Sequence, residues 1–176
     1  GVVAQFFYVG AQIGVWSFTI RYVMEELHLN EDDAANYYLA SLILFTASRF
    51  VFTFLMKRFS PGSLLLASSV AAVIFTFLVI YGSGYLGVYA LVGISGCMSL
   101  MFPTIYGLGV RGLGKDTKIG ASGLIMAILG GAVLTALQGY VSDTTGSIHQ
   151  SYWVPLICFA VIAYYGAFGC RKDLPA

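Results

Sequence analysis

Gln5, Tyr8, Gln12, Trp16 and Thr19 follow one another at three- and four-residue steps, the spacing that places side chains on one face of an α-helix. Amides, hydroxyls and an indole in a row are costly against lipid. Such a stripe faces either a water-filled cavity, where it can hold a polar ligand, or another helix, where it serves as hydrogen-bonded packing. For Tyr8 and Thr19 taken alone the packing role is the expectation. Arg49 is the one charge well inside an apolar run, and an intramembrane charge implies a function and a partner. No carboxylate stands near it in sequence. Two turns from Lys57, it can snorkel toward an interface, so a role in gating or packing at the inner mouth is expected rather than ligand contact.

These residues require helices in a membrane. The 176 residues are 59% hydrophobic and 10% charged with net charge +1, whereas an ordinary soluble domain is about 25% charged. That balance excludes a disordered chain, a nucleic-acid binder with a basic face and a soluble domain on a single anchor. One spanning helix takes about 20 apolar residues. Apolar windows bounded by turn signals predict six spans: 2–23, 34–56, 63–81, 86–109, 119–141 and 152–169. Together they make residues 1–176 a single six-span bundle.

The links carry their own signals. Glu25 to Asp33 holds five acids and is expected to lie outside lipid as a loop. Pro61-Gly62 stops the second span, Gly82-Ser83-Gly84 turns the third into the fourth, and Ser142 to Gln150 is a polar turn. Asp116 or Thr117 is available to cap the fifth helix. The fourth span is rich in small residues, Gly93, Ser95, Gly96 and Ser99, and Pro103 removes a backbone donor. Broken helices of this kind often line a substrate path, though a kink held by neighbours is the alternative. Adjacent Gly130 and Gly131, with Met126, Thr135 and Gln138, suggest close helix approach in the fifth span; packing is the expectation for this face, with Gln138 bonding across the bundle or lining the outer passage as the alternatives.

Charge placement orients the bundle. Lys57, Arg58, Arg111, Lys115, Lys118, Arg171 and Lys172 fall on one side of six alternating spans, with only Arg21 opposite. That side is expected to be cytoplasmic, as are both ends of the chain. The chain opens inside the apolar stretch Val2 to Gly10 with no signal-peptide pattern, and reads as a cut.

Other chemistry finds no support. Cys97, Cys158 and Cys170 stand singly in or beside apolar runs, without disulfide or zinc spacing. His28 and His149 are expected in solvated loops with no metal, and no cofactor is expected. There is no metalloprotease, nucleophile-elbow or phosphate-loop motif. The Gly107, Gly109, Gly112 and Gly114 cluster lacks the strand a dinucleotide site needs, so the chain is not expected to be an enzyme.

The run Gln5-Phe6-Phe7-Tyr8-Val9-Gly10-Ala11-Gln12, with Trp16-Ser17, Ala35-Asn36-Tyr37, Arg49-Phe50, Phe102-Pro103-Thr104-Ile105, Leu113-Gly114, Asp116-Thr117-Lys118, Gly139, Ser142-Asp143 and Gly146, resembles the C-terminal half of the L-fucose:proton symporters. These form the fucose permease branch of the major facilitator superfamily. The resemblance covers nearly the whole chain in order. It implies an all-α membrane protein whose six transmembrane helices are two inverted three-helix repeats, one half of a twelve-span transporter of a bacterial inner membrane. Arg49 to Gly62 and Gly139 to Gly146 resemble the superfamily's loop motifs. The family's other half, expected to supply the carboxylates that couple sugar to protons, is absent, and no acid lies within the six predicted spans. The chain also carries Phe102 where a member of that family has a tyrosine before the proline of the fourth span, which removes one available hydrogen bond to sugar while keeping a ring that can stack.

The resemblance implies that Gln12 hydrogen-bonds sugar hydroxyls, that Trp16, Phe45 and Phe102 form an apolar wall, and that Asn36 lines the outer vestibule or caps its helix. The partners so implied are a fucose-like monosaccharide, protons through the missing half, and the bilayer, with no nucleic acid. The chain would form one wall of the sugar cavity and would not transport alone. The alternative is a self-associating six-span protein with a structural or regulatory role. A passive pore would need polar faces on most helices, and only one good stripe is present.

Overall fold

A computed structural model of the chain describes residues 2–82, 84–110 and 113–169. Arg111, Gly112, Cys170, Arg171, Lys172 and Ser83 of the expectations above lie outside the described residues. The described chain is helical: α1 (Val2–Leu27), α2 (Glu31–Leu55), α3 (Pro61–Tyr81), α4 (Tyr85–Met98), α5 (Met101–Val110), α6 (Thr117–Met126), α7 (Leu129–Thr145), α8 (Ile148–Ser151) and α9 (Trp153–Tyr164). A short 3-10 turn, Gly114–Asp116, precedes α6, and a π turn, Tyr165–Gly169, follows α9. They make up six helices long and apolar enough to cross a membrane, α4–α5, α6–α7 and α8–α9 each forming one. Chains in hydrocarbon must satisfy their backbone internally, which is why apolar windows become helices here.

The helices run past their apolar windows. Glu25 and Glu26 sit in the last turn of α1, and Glu31, Asp32 and Asp33 form the first turn of α2, leaving only residues 28–30 as the link. The expected acidic loop is therefore mostly helix. Acidic side chains oppose the positive end of the helix dipole, so they favour a helix start even where they end an apolar span. Pro61 likewise begins α3 rather than ending α2. Ser60 caps it, its side-chain oxygen accepting from the Ser63 N–H, and the first helical position needs no proline N–H. Asp116 makes no side-chain cap bond, and the Thr117 hydroxyl turns back to the Gly114 carbonyl at 2.7 Å. Gly146, in the left-handed region at φ +67, closes α7, so the turn before α8 is only Gly146 and Ser147.

Three spans break. The fourth breaks at Ser99 and Leu100, ahead of Pro103 rather than at it, which puts the proline in the first turn of α5 where its missing donor would be unpaired anyway. Pro155 holds the same place in α9. The fifth breaks at Ala127 and Ile128, where the Ile128, Gly130 and Gly131 N–H groups tighten onto carbonyls three residues back.

α1 is the central strut. It packs on α7, α9, α2 and α4, while α3 packs on α4 and α9. The α1–α7 contact is close because Gly130 faces the Phe6 carbonyl, and a methyl group there would overlap that oxygen. α2 is the reverse case, with only Ala34 and Ser41 buried. A groove of about 500 Å³ runs along its open face, lined by Leu42, Ile43, Thr46, Ala47 and Phe50.

Candidate substrate wall

The stripe on α1 divides by depth. Tyr8 is fully buried and its hydroxyl donates to the Met98 carbonyl at 3.0 Å. Thr19 is buried and bonds back to the Val15 carbonyl at 2.6 Å, a local packing role. Gln5 is fully buried, and neither carboxamide atom meets a hydrogen-bond partner. Gln12 and Trp16 are half-buried, so this part of the stripe reaches the molecular surface. Gln12 has no hydrogen-bond partner among the described residues, leaving an amide donor and acceptor for a ligand.

Trp16 is held from two sides. Its indole N–H donates to the Ser95 hydroxyl of α4 at 3.2 Å. Its ring meets Phe45 of α2 edge-on, with centroids 5.1 Å apart and planes at 76°. Edge-to-face contact suits the aromatic quadrupole, and the hydrogen bond fixes which way the indole lies. Phe102, half-buried at the start of α5, tilts against Tyr8 with centroids 6.1 Å apart. α1 thus ties both Trp16 and Tyr8 to the fourth span, at Ser95 and at the residue before its break. Ser95 stood out in the sequence only as a small residue in a Gly/Ser-rich span. Nothing in its spacing from Trp16 could reveal the pairing.

Other candidates lie elsewhere. Asn36 is exposed on α2 about two and a half turns before Phe45, which puts it on the opposite side of that helix. Because α2 starts after Asn30, Asn36 lies inside the helix and does not cap it, a correction to that expectation. Arg49 is exposed about one turn after Phe45, on nearly the same side, and forms no ion pair among the described residues. Gln138 is fully buried against Gly14 with both carboxamide atoms unpaired, so it neither bonds across the bundle nor lines a passage. Met126 is exposed. His28 is exposed as expected, but His149 is half-buried and in contact with Glu26, a correction to its expected solvation. A stretch that looks like a polar turn in sequence forms α8 and packs against α7, α1 and α3. No group of three or more metal-ligating side chains forms among the described residues.

Comparison with known proteins places this geometry. No family model matches the chain. The L-fucose-proton symporter of Escherichia coli is 40% identical over 168 residues, covering 95% of this chain and 38% of the symporter. That of Haemophilus influenzae is 40% identical over 171 residues, covering 94% and 40%. The glucose/galactose transporter of Brucella abortus is 33% identical over 174 residues, covering 98% and 42%. Among solved structures, the major facilitator superfamily transporter FucP in its outward conformation superposes with a TM-score of 0.93 at 39% identity, covering 99% of this chain and 42% of FucP. The chain therefore spans about two fifths of the length of the relatives it matches. In sequence and in fold, this multi-pass membrane chain is a homologue of one six-helix half of the major facilitator superfamily transporters, with L-fucose-proton symporters among its relatives.

Proposed function

We propose that the chain is the C-terminal half of a proton-coupled symporter for an L-fucose-like monosaccharide in a bacterial inner membrane. Its Trp16, Phe45 and Phe102 rings, with Gln12, form one wall of the central cavity. One observation carries this reading: a half-exposed indole is locked by Ser95 and Phe45 beside a carboxamide with no internal partner. A hexose has apolar C–H patches rimmed by hydroxyls, and a fixed ring with a free amide complements both. A ring that already lies in place costs little to order on binding.

The rest follows from rocking transport, in which two halves move about a central site. This half alone has no opposing wall and does not transport. The other half supplies the proton carboxylates and covers the open α2 face, while Arg49 works in gating or packing at the inner mouth. Lys57, Arg58, Lys115 and Lys118 mark the cytoplasmic end by the positive-inside rule. Asn36, on the other side of α2 from Phe45, keeps to the outer vestibule.

The test is uptake and binding of labelled L-fucose by the full-length transporter carrying this half. Trp16→Ala and Gln12→Ala are each expected to weaken binding about tenfold. Unchanged binding and uptake in both variants would remove the assignment. A second reading, self-association, draws on the same open α2 face. It predicts a stable dimer of this chain on its own, measured by light scattering in detergent.

A further inference from the structure

His149 lies where four segments meet. Its Nδ1 is 2.9 Å from the Val79 carbonyl at the end of α3, and its Nε2 contacts Glu26 Oε1 at the end of α1. Glu26 Oε2 accepts the Gly84 N–H at the start of α4, at 2.7 Å. The Glu26 side chain is only 14% exposed and that of His149 only 23%. Tyr22 adds to the same node. Its hydroxyl donates to the Val79 carbonyl at 2.8 Å, and its ring tilts against the imidazole with centroids 4.9 Å apart.

Hydrogen-bond arithmetic sets the proton count. A carbonyl oxygen only accepts, so Nδ1 carries a proton. A carboxylate only accepts, so the contact between Nε2 and Oε1 requires a second proton, either on Nε2 as imidazolium or on Oε1 as carboxylic acid. Oε2 accepts from Gly84 in both forms. Without that second proton, an imidazole lone pair meets a carboxylate oxygen with little water to separate them. We infer that His149 and Glu26 together form a proton-binding site at the end of the bundle opposite Lys57 and Lys115. Its ligand is one proton, held between Nε2 and Oε1.

The site has a structural consequence. With the proton bound, α8 is tied to both α1 and α3. Without that proton Nδ1–H still donates to the Val79 carbonyl and Glu26 still accepts from Gly84, so the tie that depends on it is the one between α8 and α1. Few other titratable groups face the pair. α1 offers Tyr22, while its Arg21–Glu25 pair is half-exposed. The head of α9 brings Tyr152, edge-on to Tyr22 with centroids 5.5 Å apart. Tyr81 of α3 is exposed and stacked on Phe77, and Tyr85 of α4 and Asp143 of α7 are exposed. No lysine or arginine among the described residues bonds to the pair.

The experiment is nitrogen NMR on the full-length protein with ring-labelled histidine in lipid nanodiscs at neutral pH. The His149 signals are those lost in His149→Gln. Infrared absorption of the Glu26 carboxyl is followed in parallel, assigned with Glu26→Gln. The expected result is two protonated ring nitrogens, with the second proton lost from His149 in Glu26→Gln. A singly protonated ring facing a protonated Glu26 carboxyl supports the same site, the proton resting on the other partner. A singly protonated ring facing an ionised Glu26 overturns it. If Glu26→Gln does not fold, Glu26→Asp assigns the carboxyl band and the unmodified protein decides. Sugar binding enters none of these readouts, so the outcome is independent of the cavity assignment.

Discussion

The Tyr8 hydroxyl of α1 donates to the carbonyl of Met98, the last residue of α4 before the fourth span breaks. A carbonyl at a break has lost its regular helical donor, and in a buried position it needs another. Tyr8 supplies one from a different span. The bond thus stabilises the break and couples it to the helix that also carries Trp16.

Tyr8→Phe is therefore expected to cost about 1–2 kcal/mol, the price of leaving that carbonyl unpaired. In detergent the melting temperature should fall by roughly 2–8 °C. An unchanged melt would show that the break is held by packing alone.

Ser95→Ala removes the acceptor of the Trp16 indole without touching the cavity surface. The expected effect is a rise in KM for sugar of about fivefold with a melting temperature shift under about 2 °C. Trp16 and Trp153 are the two tryptophans of the chain, so a Trp153→Phe background isolates Trp16 from the rest of this half, and its fluorescence anisotropy should drop in Ser95→Ala. Equal anisotropy with and without Ser95 would mean that Phe45 alone orients the ring.

Gly130→Ala and Gly107→Ala form a matched pair. At Gly130 the new methyl overlaps the Phe6 carbonyl, whereas at Gly107 nothing lies within 4 Å. The first should destabilise by about 1–3 kcal/mol as α1 and α7 are forced apart. The second should be neutral or raise stability by up to about 1 kcal/mol through helix propensity. Thermal unfolding of the two variants side by side checks both, and similar losses would contradict the close α1–α7 approach.

Much of this protein is written in its order of residues. Six apolar windows become six membrane-capable helices because lipid offers the backbone no other partner. The spacing of Gln5, Tyr8, Gln12, Trp16 and Thr19 places them on one face because helical period is local. Such a pattern cannot say how deep each residue lies or what stands across from it. Docking of spans far apart in sequence buried Gln5 and Tyr8, left Gln12 and Trp16 near the surface, and set Ser95 and Met98 opposite Trp16 and Tyr8. Helix ends escaped for a related reason: hydropathy marks the thickness of the hydrocarbon, not the end of a hydrogen-bond ladder, so acidic turns of α1 and α2 read as loop. The joining of Glu26 to His149 had no local signal, because two polar residues from separate stretches of the chain become a half-buried pair only when the folded bundle brings the ends of α1 and α8 together.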